Sequence, residues 1–189
     1  VVRMIAEAGV YAYSISKEGV WIHLYGGSVL DTTLPDHSRM KLKQQTEYPW
    51  DGKIRVTIED APAGEISLFL RIPSWTNSAG IKVNGRRIGD PLQPGQYYEI
   101  RQAWSANDQI ELVLPMPVRL MEANPFVEEA RGQTAVQRGP IVYCLESVDL
   151  PENIHINDVA IPSSIKLTNR FDKDLLGGIT VLEGRAFVL

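Results

Sequence analysis

The groups in this chain that could do chemistry are few and scattered. Acid–base hydrolysis needs two carboxyl groups facing one another across a substrate. By residue type the candidates are Glu59-Asp60, Glu122 and Glu128-Glu129. Adjacent residues of an extended chain point to opposite sides, so neither adjacent pair is a dyad by itself. Glu59-Asp60 ends an expected strand and Glu128-Glu129 lies in a polar connection, and both read as solvated surface charge. The histidines, His23, His37 and His155, follow no ligand spacing, so no metal site is expected. His23 is expected on the wetter side of a strand, or satisfied against a neighbouring helix. The single cysteine, Cys144, sits in the apolar run Ile141-Val142-Tyr143-Cys144-Leu145 with no neighbouring base. It is expected to be a small buried hydrophobe rather than a nucleophile. No catalytic residue is therefore assigned.

Aromatic rings are the other candidates. Trp50, Trp75 and Trp104 fall in or beside expected loops. Loop tryptophans can stack on sugar rings, which makes Trp75 and Trp104 the candidates for substrate binding. The preferred reading is that they cover the ends of a sandwich or dock on a neighbouring domain, with the indole N–H hydrogen-bonded.

Composition narrows the partners. A net charge of −4 and the lack of a basic run argue against a nucleic-acid partner. The apolar stretches are strand-sized, short of the roughly 18 residues that cross a bilayer. One cysteine makes no internal disulfide, so no compartment follows from it. Neither a glycine-rich phosphate loop nor a Gly-x-Ser-x-Gly elbow occurs. At 189 residues there is room for one large domain or two small ones.

The elements that must hold these groups read as strands. Val20 to Tyr25 is rich in branched and aromatic residues. Lys53 to Glu59 alternates, with Ile54, Val56 and Ile58 on one face. Ile66, Leu68, Leu70 and Ile72 face inward, while Ser67, Phe69 and Arg71 face the other way. Ile81 to Val83 and Arg86 to Ile88 flank Asn84-Gly85, a pair suited to a type I′ hairpin turn. Tyr97 to Arg101 and Gln109 to Leu114 complete the set. Beyond Pro115-Met116-Pro117, further strands are expected at Val118 to Glu122, Gln133 to Gln137, Ile141 to Leu145, Ile165 to Leu167 and Gly177 to Val181. The pattern predicts an all-β, antiparallel sandwich fold. Its parts are a helical tail in residues 1–16, a sandwich in 17–115 and a second one in 116–189. Val1 to Ala8 reads as an amphipathic helix stopped by Gly9. That uncapped start and the apolar ending Phe187-Val188-Leu189 suggest a chain cut from something larger.

Several ordered segments carry a resemblance. They are Tyr11-Ala12-Tyr13-Ser14, His23-Leu24-Tyr25-Gly26-Gly27-Ser28, Leu70-Arg71-Ile72-Pro73-Ser74-Trp75, Val83-Asn84-Gly85 and Arg138-Gly139-Pro140-Ile141-Val142-Tyr143. Together they resemble glycoside hydrolase family 127, the β-L-arabinofuranosidase-like enzymes. In that family an α/α barrel carries catalysis and β-sandwich domains follow it. The barrel ends in a Cys-Cys-Pro-Pro-Asn motif that supplies a nucleophilic cysteine and zinc ligands, and an upstream glutamate is the acid/base. Val1 to Ala8 resembles the helix after that motif. The resemblance implies that every catalytic and zinc-binding residue lies outside this chain, and that the second sandwich is incomplete. Zinc would then be the parent's cofactor, with none in this chain. The implied partners are the missing N-terminal barrel, a second copy in a homodimer and, through the parent, plant-type arabinose-containing glycans. The expected function is a non-catalytic sandwich part that supports the barrel. The alternative is a carbohydrate-binding module using the loop tryptophans.

Overall fold

The computed structural model describes residues 7–89 and 92–189. The expected helix at Val1 to Ala8 falls almost wholly outside them. The described residues are all-β, with no helix of seven residues or more. The chain divides into two compact units, Val1–Met116 and Pro117–Leu189.

In the first unit two sheets share one core. The smaller sheet holds β1 (Tyr13–Ile15), β2 (Gly19–Ile22), β6 (Glu65–Arg71) and β9 (Tyr97–Ala103), in the order β1-β2-β6-β9. The larger holds β3 (Ser28–Thr33), β4 (Arg39–Thr46), β5 (Lys53–Asp60), β7 (Gly80–Val83), β8 (Arg86–Ile88) and β10 (Gln109–Val113), in the order β3-β4-β5-β10-β7-β8. Alternation decides what faces inward. Val20, Ile22, Leu68, Leu70 and Ile100 of the smaller sheet meet Met40, Leu42, Ile54, Val56, Ile58, Ile81, Ile110 and Leu112 of the larger. Each such side chain contributes roughly 1.5–3 kcal/mol when fully buried.

One polar side chain crosses this core. Gln44 of β4 is buried, and its Nε2 donates to the Tyr13 hydroxyl (2.6 Å) and the Leu24 carbonyl (3.2 Å). It thereby ties the larger sheet to the edge of the smaller one.

Among the described residues, all the neighbouring strands run antiparallel except one pair. β2 and β6 are parallel, with Trp21 opposite Phe69 and Ile22 opposite Leu70. Parallel strands need a long crossover, and here the connection runs through β3, β4 and β5 of the other sheet. Gly19 makes the pairing possible. A Cβ there would stand 1.9 Å from the Ser67 carbonyl oxygen, so only glycine lets β2 approach β6 so closely.

The hairpin at Val83-Asn84-Gly85 forms as its sequence requires. Asn84 has φ 49° and Gly85 φ 79°, the two positive values of a type I′ turn. The Asn84 side chain also works across strands. Its Nδ2 donates to Asp108 Oδ1, and its Oδ1 accepts from the Gln109 amide, each at 2.9 Å.

The second unit holds β11 (Val118–Glu122), β12 (Thr134–Arg138) and β13 (Ile141–Tyr143) in one antiparallel sheet. Two antiparallel ribbons complete it, β14 (Val159–Ala160) with β17 (Phe187–Val188) and β15 (Thr168–Asp172) with β16 (Ile179–Glu183). Two sequence expectations are corrected here. Ile165 to Leu167 is not a strand, and the pairing begins at Thr168. Cys144 is exposed rather than buried, because β13 ends at Tyr143 and residues 144–149 are all exposed. The reason is general in this unit. Among the described residues after Pro117, only Gly139 and Thr180 are buried, and every buried hydrophobic side chain of the described chain lies before Pro115.

Candidate functional site

The outer face of the smaller sheet gathers side chains from three strands. Register sets them in rows: Gly19, Ser67 and Arg101; then Trp21, Phe69 and Glu99; then, one step on, Arg71 and Tyr97 with His23 just past the end of β2. Trp21 lies flat on Phe69, with ring centroids 3.8 Å apart and 6° between planes. Tyr97 meets Trp21 edge-on at 5.0 Å and His23 edge-on at 5.5 Å. The result is an aromatic plate on a surface where polar alternation alone would place solvated residues. It covers Phe69 to 8% exposure.

Hydrogen bonds fix the plate. His23 Nδ1 lies 2.5 Å from the Tyr97 hydroxyl, and Nε2 lies 2.7 Å from the Ser14 hydroxyl. Both ring nitrogens are thus engaged, one as donor and one as acceptor in the neutral ring. Desolvation, and then the positive charge of Arg71, hold the His23 pKa below 6.5. Arg71 Nε donates to the His23 carbonyl at 2.7 Å, and the Arg71 carbonyl accepts from the Tyr25 hydroxyl at 2.6 Å. Burial drives the Tyr25 hydroxyl pKa far upward, so it stays a proton donor. Trp21 Nε1 donates to Ser16 Oγ at 3.1 Å. Such a site can hold and orient a partner.

Beside the plate lies a half-open cleft of about 500 Å³, lined by Lys17, Glu65, Ser67, Phe69, Glu99 and Arg101 among others. Ser67 is 3% exposed and its hydroxyl donates to Glu99 Oε1 at 2.5 Å. Arg101 Nε donates to Glu65 Oε2 at 3.2 Å.

The residues singled out from sequence are placed elsewhere. Trp104 belongs to the core. It is 5% exposed, and its Nε1 donates to the Ile66 carbonyl at 3.0 Å. Trp75 is half-buried and packs on the core. Glu59 pairs with Lys41 at 2.9 Å. Glu122 ends β11, and Glu128 and Glu129 lie exposed in a 3₁₀ turn, Glu128–Ala130. Among the described residues, no three His, Cys, Asp or Glu side chains form a group that could hold a metal ion. Sequence reasoning missed Trp21 and Tyr97. The alternation of β2 and β9 puts each on an outer face, but only the parallel β2–β6 pairing brings them together.

Comparison with known proteins places this geometry. Residues 19–116 match the model of the β-L-arabinofuranosidase GH127 middle domain, and residues 118–178 match the family's C-terminal domain. A non-reducing end β-L-arabinofuranosidase of Bifidobacterium longum subsp. longum is 30% identical over 97% of this chain. A solved glycoside hydrolase superposes with a TM-score of 0.93 at 41% identity over 99% of the chain. A GH127 β-L-arabinofuranosidase from Geobacillus stearothermophilus T6 does so with 0.88 at 40% identity over 97%. The chain spans 28% of the Bifidobacterium relative and 31% and 29% of the two solved chains. Its two units are thus the middle and C-terminal parts of a known arrangement, and the chain belongs to glycoside hydrolase family 127.

Proposed function

We propose that this chain is the non-catalytic β-sandwich part of a β-L-arabinofuranosidase-like hydrolase, supporting a catalytic barrel and contributing to a homodimer. One observation carries the reading. The chain matches the family's middle and C-terminal domains and spans less than a third of its relatives' length. The structure is consistent with a supporting part. On the outer sheet face His23 bonds the Ser14 and Tyr97 hydroxyls, and Arg71 bonds the His23 carbonyl. The second unit leaves Phe126, Val148 and Leu176 at 85–94% exposure. In this reading zinc, acid/base and nucleophile all belong to the barrel, and arabinose-containing glycans reach the protein through it.

Sugar binding by loop tryptophans has less support, because Trp104 is buried and Trp75 packs on the core. Reading the coding frame upstream of Val1 tests the accessory role. A barrel-sized segment ending in Cys-Cys-Pro-Pro-Asn is expected, and a start codon directly before Val1 would contradict it.

A further inference from the structure

The cleft beside the aromatic plate has the make-up of a binding site, and its origin is legible in the register. Gly19 and Ser67 stand opposite one another. Neither fills the outer face, whereas the next row is filled by Trp21 on Phe69. The missing volume leaves the cleft of about 500 Å³. Its floor is the buried Ser67, whose hydroxyl fixes Glu99 through one carboxylate oxygen. The second oxygen remains an acceptor. Arg101 meets Glu65 through Nε, so its terminal N–H groups remain donors. Lys17 adds a further donor, and the largely buried Phe69 also lines the cleft.

Charge selects the ligand class. An anion such as phosphate would meet Glu18, Glu65 and Glu99, which also line the cleft. A metal cation would meet Lys17 and Arg101. A neutral polyol satisfies both signs, since one hydroxyl can donate to a carboxylate and accept from a guanidinium.

We propose that this cleft binds a neutral saccharide of one or two rings, held by Glu99 and Arg101. The site lies apart from both loop tryptophans. It does not rest on the accessory role, because the cleft is formed wholly within the first unit.

The test is saturation-transfer NMR and calorimetry on the whole chain, with L-arabinose, methyl β-L-arabinofuranoside and D-glucose as probes. Saturable binding of at least one probe is expected, with a Kd on the order of 1 mM. It should weaken at least tenfold in Glu99→Gln, which keeps an acceptor for Ser67, and in Arg101→Gln. Arg55→Gln on the other sheet should leave it unchanged. Thermal unfolding confirms that each variant folds. Preference for the methyl glycoside supports a glycan end as ligand, and preference for a free sugar supports the monosaccharide. No saturable binding to any probe, or equal binding in both cleft variants, overturns the proposal.

Discussion

At the scale of single residues, His23 is the most constrained titratable group on the outer face. Its neutral ring is held between Ser14 and Tyr97, beside Arg71. Because the folded pKa lies below 6.5, the unfolded chain binds more protons between the two values. Stability therefore rises with pH across that interval. His23 contributes fully above pH 6.5, and its contribution is lost as pH falls through that window. The melting temperature should drop on acidification from pH 7 to about 5 by more than it does in His23→Gln. Parallel pH profiles of the two proteins would contradict the assignment. Asp31, Asp36 and Asp172, whose pKa values sit below 3.8 because of hydrogen bonds to Arg39, Ser38 and Arg170, titrate in a lower window and do not confuse the reading. The sequence placed His23 on the wetter side of its strand, but it could not show the Tyr97 hydroxyl. That partner lies 74 residues away, and such pairings depend on topology rather than local pattern.

At the scale of elements, most of the first unit was legible. Alternation in β5 and β6 predicts their inner faces, and Leu68, Leu70 and Ile72 are buried to 1% exposure or less. The Asn84-Gly85 turn was legible for the same local reason, since positive φ at both positions restricts the residues that fit. Replacing Asn84 by alanine should cost about 1–2 kcal/mol from left-handed backbone strain alone, with more from the lost Asp108 and Gln109 bonds. Asn84→Gly should cost less, and chemical denaturation compares the two. The parallel β2–β6 pair was not legible, because no local signal marks a strand that crosses to the other sheet and returns. Its weak point is Gly19. Gly19→Ala puts a carbon 1.9 Å from the Ser67 carbonyl, so the strands must separate. Destabilisation above about 4 kcal/mol is expected, and a value near 1 kcal/mol would show that the pairing gives way easily. The expectations that failed, Cys144 and Ile165 to Leu167, both lie in the second unit. There an apolar run does not imply burial, because the unit closes no hydrophobic core among its described residues.

For the whole molecule, the two units divide the account. The first closes its own core and carries the aromatic plate and the cleft. The second presents apolar side chains outward, among them Phe126, Val148 and Leu176. In the proposed homodimer such side chains would be covered. Sedimentation velocity should show a coefficient that rises with protein concentration, and a concentration-independent monomer would argue against the dimer. The family match spans nearly the whole chain but less than a third of its relatives, so a relative's activity is not carried over with its name. The central claim is that chemistry lies outside these residues. It is tested most directly by incubating the purified chain with an aryl β-L-arabinofuranoside, with and without added zinc. The account predicts no release above the buffer blank in either case. Zinc-dependent hydrolysis by this chain alone would contradict it.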